Sequence, residues 1–146
     1  MKKVSVIQWL AWFFALNFLF IVTVSHWPGL TDSQGRLLGL FYIDPIDDIF
    51  HLFSGLIAAV VALHSRKASV WYFKIAGIPY GLDALGGLFF SREVLNGEIF
   101  TQGLGAADFS LNNWLVQLPH IIILVASLWI AFWLSNHSDK NHKGAR

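Results

Sequence analysis

Cysteine is absent from all 146 residues, and with it go disulfides, thiolate metal centres, iron–sulfur clusters and c-type haem attachment. Charge is scarce as well, at 13% of residues with a net +1. No basic stripe that could follow a nucleic acid is present, no low-complexity tract, and no HExxH or comparable local metal signature. What remains is apolar: 55% of residues are hydrophobic and 16% aromatic, with seven Trp, and the mean hydropathy is +0.57. That composition is characteristic of integral membrane proteins.

A hydrocarbon core of about 30 Å needs roughly 20 mostly apolar residues as helix. Four stretches qualify, at about 5–27, 46–64, 71–90 and 113–134. The opening run MKKVSVIQWLAWFFALNFLFIVTVSHW is too long and too aromatic for a cleaved signal, and VSHWPG offers no small-x-small cleavage site, so it reads as a retained span. The expected fold is all-α: an antiparallel bundle of four membrane helices in a single domain over 1–136, followed by a polar cytoplasmic tail over 137–146.

Lysine and arginine collect on the cytoplasmic side of membrane proteins. With the N-terminus inside, that side holds Lys2, Lys3, Arg66, Lys67, Lys74, Lys140, Lys143 and Arg146, eight of the ten basic residues. The outer segments hold Asp32, Asp44, Asp47, Asp48, Glu93, Glu98 and Asp108, seven of the nine acids. This predicts a bacterial inner-membrane protein with both termini cytoplasmic. HSRKAS reads as a tight inner turn, and the longer outer segment from Ser91 to Asn113 as an amphipathic stretch at the interface. Trp27, Trp71, Trp114, Trp129 and Trp133 stand near span ends, where aromatic anchors belong.

Several polar groups fall inside these spans. At 1.5 Å per residue, His51 lies about 8 Å below the outer end of its span, and His120 and Asp83 about 10 Å below theirs. Three helices thus present ionisable groups in one layer. Asp47 and Ser54 extend the His51 stripe by one turn each way, and Asn17 lies deeper on the first span. A charge isolated in hydrocarbon costs at least about 2.5–3.5 kcal/mol, so Asp83 is expected to face the interior and find a partner. Gly77, Gly81, Gly86 and Gly87 on the same span let backbones approach, or leave room for a ligand. Asp44-x6-His51 and Asn113-x6-His120 share a spacing, which a parallel 2+2 repeat would produce.

The stretch from LFYIDPIDDIFHLFSGLIAAVV through GIPYGLDALGGL, with the later NNWLVQLPHIIILVAS, resembles a family of small bacterial four-span membrane proteins catalogued only as a domain of unknown function. The family pattern is an Asn/Asp-rich turn, then Leu-His-Leu and a Gly one turn on in the second span, with a His near the start of the fourth. His51, Gly55 and His120 match it, and Asp47 and Asp48 fall where the family has Asn or Asp. The run from Asn113 to His120 is longer than the family's usual gap. The resemblance implies fold and topology and no activity.

Four functional readings follow, and no motif commits the chain to being an enzyme. In the first, the polar groups satisfy one another in a scaffold or accessory subunit with a membrane-protein partner or a second copy. Asp44, Asp47 and Asp48 are then ordinary helix N-terminal residues. In the second, His51, Asp83, His120, Asp47 and Asp48 hold a divalent transition metal, whose bound water would act as nucleophile in a hydrolysis. In the third, intramembrane Asp and His relay protons or bind a cation. In the fourth, His51 and His120 ligate a b-type haem, or the layer takes a quinone.

Overall fold

The computed structural model describes residues 4–137. Lys2, Lys3, Lys140, Lys143, Arg146 and all of the expected tail except His137 lie outside these residues. Helix makes up 72% of the described residues. The long helices are α1 (Val6–Ser25), α2 (Pro45–His64), α3 (Arg66–Phe90) and α5 (Leu111–Leu128), with a one-turn α4 (Glu98–Thr101) before the last. A π-helical turn, Trp129–Leu134, continues α5 without a break.

Each long helix starts on a side chain that answers its free N–H groups. Ser5 and Gln8 form a reciprocal capping box on α1. Asp44 accepts from the Ile46 N–H at 2.7 Å, with Pro45 at the first helical position. Ser65 and Ser110 cap α3 and α5. The two halves of the apparent repeat therefore differ: Asp44 is a cap, whereas Asn113 lies inside α5 and its amide donates to Gly87 and Asp108 carbonyls at 2.9 and 2.7 Å.

Helices α1 and α2 pack together, α2 on α3, and α3 on α5. Their contacts join early residues of one helix to late residues of the next, so each pair is antiparallel. Gln8 donates to the Ala62 carbonyl at 2.8 Å while His26 meets Asp48 at 2.7 Å. Asn113 reaches Gly87, and a Cβ on Gly77 would press on Ser127 and the Leu124 backbone. Gly55 lies equally close to Ala15 and Phe18. Gly77 and Gly81 are thus occupied by helix approach, which lipid-embedded helices achieve through small residues.

Three segments are long and apolar enough to cross a membrane: Val6–Ser25, Pro45–His64 and Leu111–His137. Helix α3 is less apolar and is the enclosed one, with eleven of its 25 residues buried against three of 20 in α2. Its buried Ser69, Tyr80 and Asp83 are answered by neighbours, and one face of α3, like those of α1, α2 and α5, turns large apolar side chains outward, among them Ile75, Ile78, Leu82 and Leu85.

The connections between α1 and α2 and between α3 and α5 depart from expectation. Between α1 and α2 the chain forms a small antiparallel hairpin, β1 (Arg36–Leu37) with β2 (Phe41–Tyr42), so the chain is not purely helical. Asp32 organises it by accepting from the backbone N–H of Gln34 and Arg36, both at 2.9 Å, and from the Arg36 guanidinium at 3.0 Å. Those backbone bonds hold its carboxylate below the usual range. Between α3 and α5, residues 91–97 fold back over the end of α3.

Candidate functional site

Asp83 organises the end of the molecule where α3 finishes and α5 begins. It is 1% exposed, and its Oδ1 accepts from the N–H groups of Val94 and Leu95, each at 2.7 Å. This needs residues 91–97 to lie directly on α3, which Gly86 permits: a Cβ there would strike the Arg92 carbonyl and the Val94 side chain. Ser91 makes the reversal in a left-handed conformation at φ 47°. The other oxygen, Oδ2, stands 2.8 Å from His120 Nδ1. The two atoms lack the alignment of a hydrogen bond, so the contact is electrostatic in character.

Around this pair the rings gather. His51 and His120 have centroids 6.1 Å apart, and Tyr80 lies 5.8 Å from the first and 5.5 Å from the second. Phe18 stacks on Tyr80 at 5.4 Å and closes the cluster from α1. The Tyr80 hydroxyl donates to Ser54 Oγ at 2.8 Å, which fixes the ring.

Above the rings is an open cavity of about 190 Å³. Asp44, Asp47, Asp48 and His51 line it from α2 and its cap, Glu93 from the loop, and Gln117 and His120 from α5. Leu37, Phe41 and Tyr42 of the hairpin form a wall. Asp48 is engaged by His26 at 2.7 Å and Asp44 by its cap bond. Asp47 Oδ1, His51 Nδ1 and Gln117 Oε1 are buried without a hydrogen-bond partner among the described residues. The Glu93 carboxyl pairs with that of Asp47. Burial, then the Asp47 charge, pushes it up to about 8.

Of the residues singled out from sequence, His51, Asp83, His120 and Asp47 meet here, with Ser54 holding Tyr80. Asn17 does not: it is exposed and donates to the Phe13 carbonyl of its own helix at 2.8 Å. Tyr80, Glu93 and Gln117 complete the site and were not singled out for it. Gln117 stands one turn before His120, on the same face, and Tyr80 one turn before Asp83.

This geometry bears on the chemistry available. Among the described residues no three His, Asp or Glu side chains gather as metal ligands would. A porphyrin between His51 and His120 would extend through the place of the Tyr80 ring. The cavity wall is richer in acceptors than in donors, which suits a cation and disfavours the carbonyl edges of a quinone. No protein-family model, curated protein or solved structure matches the chain.

Proposed function

We propose that this is an inner-membrane accessory subunit that binds a cationic ligand in its outer-facing cavity. In this reading α1, α2, α3 and α5 cross the bilayer as one antiparallel bundle, with both termini cytoplasmic and the cavity toward the periplasm. Support for the orientation comes from the eight basic residues on the N-terminal side and the seven acids on the other. Support for α3 as the fourth span comes from its enclosure, since a polar residue in a membrane is tolerated where neighbouring helices answer it.

One observation carries the ligand: Asp47 Oδ1 and Gln117 Oε1 are buried, unpartnered acceptors on one cavity. A pure scaffold accounts for Asp83, which takes two loop N–H groups on Oδ1 and sets Oδ2 against His120, and for Asp44, a cap. It leaves these two acceptors unanswered, at about 1–3 kcal/mol each. A cation supplies what they lack.

The test is thermal unfolding of the protein in lipid nanodiscs, with chloride salts of inorganic and organic cations at constant ionic strength. At least one cation is expected to raise Tm, and Asp47→Asn to abolish the rise. If no cation shifts Tm, or if the shift persists in Asp47→Asn, the cavity is not a cation site.

A further inference from the structure

The cavity changes character with depth. Asp47 stands about 3 Å along α2, His51 and Gln117 about 9 Å along α2 and α5, and His120 about 14 Å along α5. Ile123, about 18 Å along α5, is the last of that helix's residues on the wall, and it packs on the cluster of Phe18, Tyr80 and Leu95. Beyond it the slot is closed, because Ile7 and Ala11 of α1 share one core with Phe73 and with Ile130 and Ala131 after α5. Polar groups thus stand near the helix ends and apolar ones at the blind end. A lipid has the same order, head outward and chain inward, and half of a hydrocarbon core is about 15 Å deep.

The cavity also opens sideways. Helices α1 and α5 are not a packed pair, yet both line it, Ile21 from the one and Val116, Pro119 and Ile123 from the other. By their three- and four-residue spacing those three residues form one stripe of α5, and Leu115, Leu118 and Ile122 form the stripe beside it. That second stripe is exposed, on a segment long and apolar enough to cross a membrane. On α1, Phe20 is exposed beside Ile21. The apolar wall therefore passes directly into the surface that these helices turn outward, and the cleft between α1 and α5 joins the cavity to that surface. A small ion from water would leave this cleft unfilled. A charge carried on an alkyl chain answers both parts of the wall.

Resting on the cation-binding reading and on helices that cross the bilayer, we infer that the ligand is a cationic amphiphile from the leaflet on the cavity's side, its charged head at Asp47 and its alkyl chain in the cleft between α1 and α5. Entry is sideways, so the reservoir of the ligand is the bilayer and not the water.

The experiment uses the full chain in phosphatidylglycerol nanodiscs, whose lipid carries no cationic group. Three probes share a dodecyl chain with a diazirine at its end and differ in the head: ammonium, trimethylammonium or sulfate. After photolysis, peptide mass spectrometry locates the adducts, and cleft labelling is taken relative to labelling on the exposed face of α2. At least one cationic probe is expected to label the residues lining the cleft saturably, at least tenfold above the sulfate probe, and to lose that excess in Asp47→Asn. Ile21→Phe and Val116→Phe narrow the cleft from opposite sides; both are expected to melt with the parent and to cut cleft labelling at least tenfold. Should either fail to fold, the sulfate comparison and Asp47→Asn decide the matter. Labelling spread evenly over the exposed faces, or alike for all three heads, overturns the inference, as does undiminished cleft labelling in a folded phenylalanine variant. If a small soluble cation raises Tm through Asp47 while the cationic probes label diffusely, the ligand comes from water: the inference falls and the cation reading stands. No shift in Tm with any cation, together with diffuse labelling, overturns both.

Discussion

Asp83 holds His120 with one carboxylate oxygen and the loop after α3 with the other. Oδ2 is 2.8 Å from the imidazole Nδ1 and Oδ1 2.7 Å from the N–H groups of Val94 and Leu95. One buried charge thus ties α3, α5 and residues 91–97 together, and it sets the position of Glu93 in the cavity wall.

Asp83→Leu leaves two buried backbone N–H groups without an acceptor, at about 1–3 kcal/mol each. It should lower stability by about 3 kcal/mol or more. Asp83→Asn keeps one oxygen for the loop and should cost clearly less. Thermal unfolding of both variants in nanodiscs checks this. A leucine variant that melts with the parent would show that the loop does not depend on Asp83.

Glu93 lies in the loop between α3 and α4, beyond the long helices. Burial and the charges of Asp47, Asp83 and Glu98 raise its carboxyl from an ordinary 4.5 to about 8. Between those values the folded chain keeps a proton that the unfolded chain has released. Stability should therefore fall as pH rises from about 4.5 to 8 and level off above that. Glu93→Gln mimics the protonated acid and should flatten this part of the profile. Melting curves from pH 5 to 9 report it, and a parent profile already as flat as that of the variant would contradict it.

Gly77 and Gly81 both face α5, but they differ in what stands opposite. A Cβ on Gly77 would meet Ser127 Cβ at 3.0 Å and the Leu124 Cα at 3.2 Å, whereas one on Gly81 would meet only the end of the Leu124 side chain. Backbone cannot rotate away and a leucine tip can. Gly77→Ala should thus cost about 1–3 kcal/mol, with Gly81→Ala milder. The reverse order in measured Tm would place the tight contact elsewhere.

The cysteine-free chain allows topology to be read with single substitutions. Gln102 and Lys67 are both exposed, at opposite ends of the long helices. A membrane-impermeant maleimide should label Gln102→Cys on intact cells and Lys67→Cys only after permeabilisation. The opposite pattern would invert the proposed orientation.

The depth of the polar layer was legible because rise per residue is the same in every helix: it sets His51, Asp83 and His120 at one level without any knowledge of packing. Rotation was not legible for Asn17, because α1 is apolar all round and its pattern names no inward face. Glu93 and the hairpin residues Phe41 and Tyr42 come from loops, where no periodicity relates neighbours in sequence to neighbours in space. Gln117 follows the helical spacing from His120, yet whether such a side chain is admitted depends on Gly87, 30 residues away on another helix. The hairpin itself is braced by the three bonds that Asp32 accepts, an arrangement that a run of turn-forming residues does not specify.

Ser65 is the only residue between α2 and α3: its N–H bonds the Val61 carbonyl, closing one helix, and its hydroxyl accepts from Ala68, opening the next. A single-residue corner has no slack, and Tyr72 and Tyr80 pin the same two helices further along through Ser54. The heavier packing lies elsewhere, α1 on α2 and α3 on α5, so this corner is the covalent seam between two helix pairs, and the cavity, lined from α1 and α2 on one side and α5 on the other, straddles that seam.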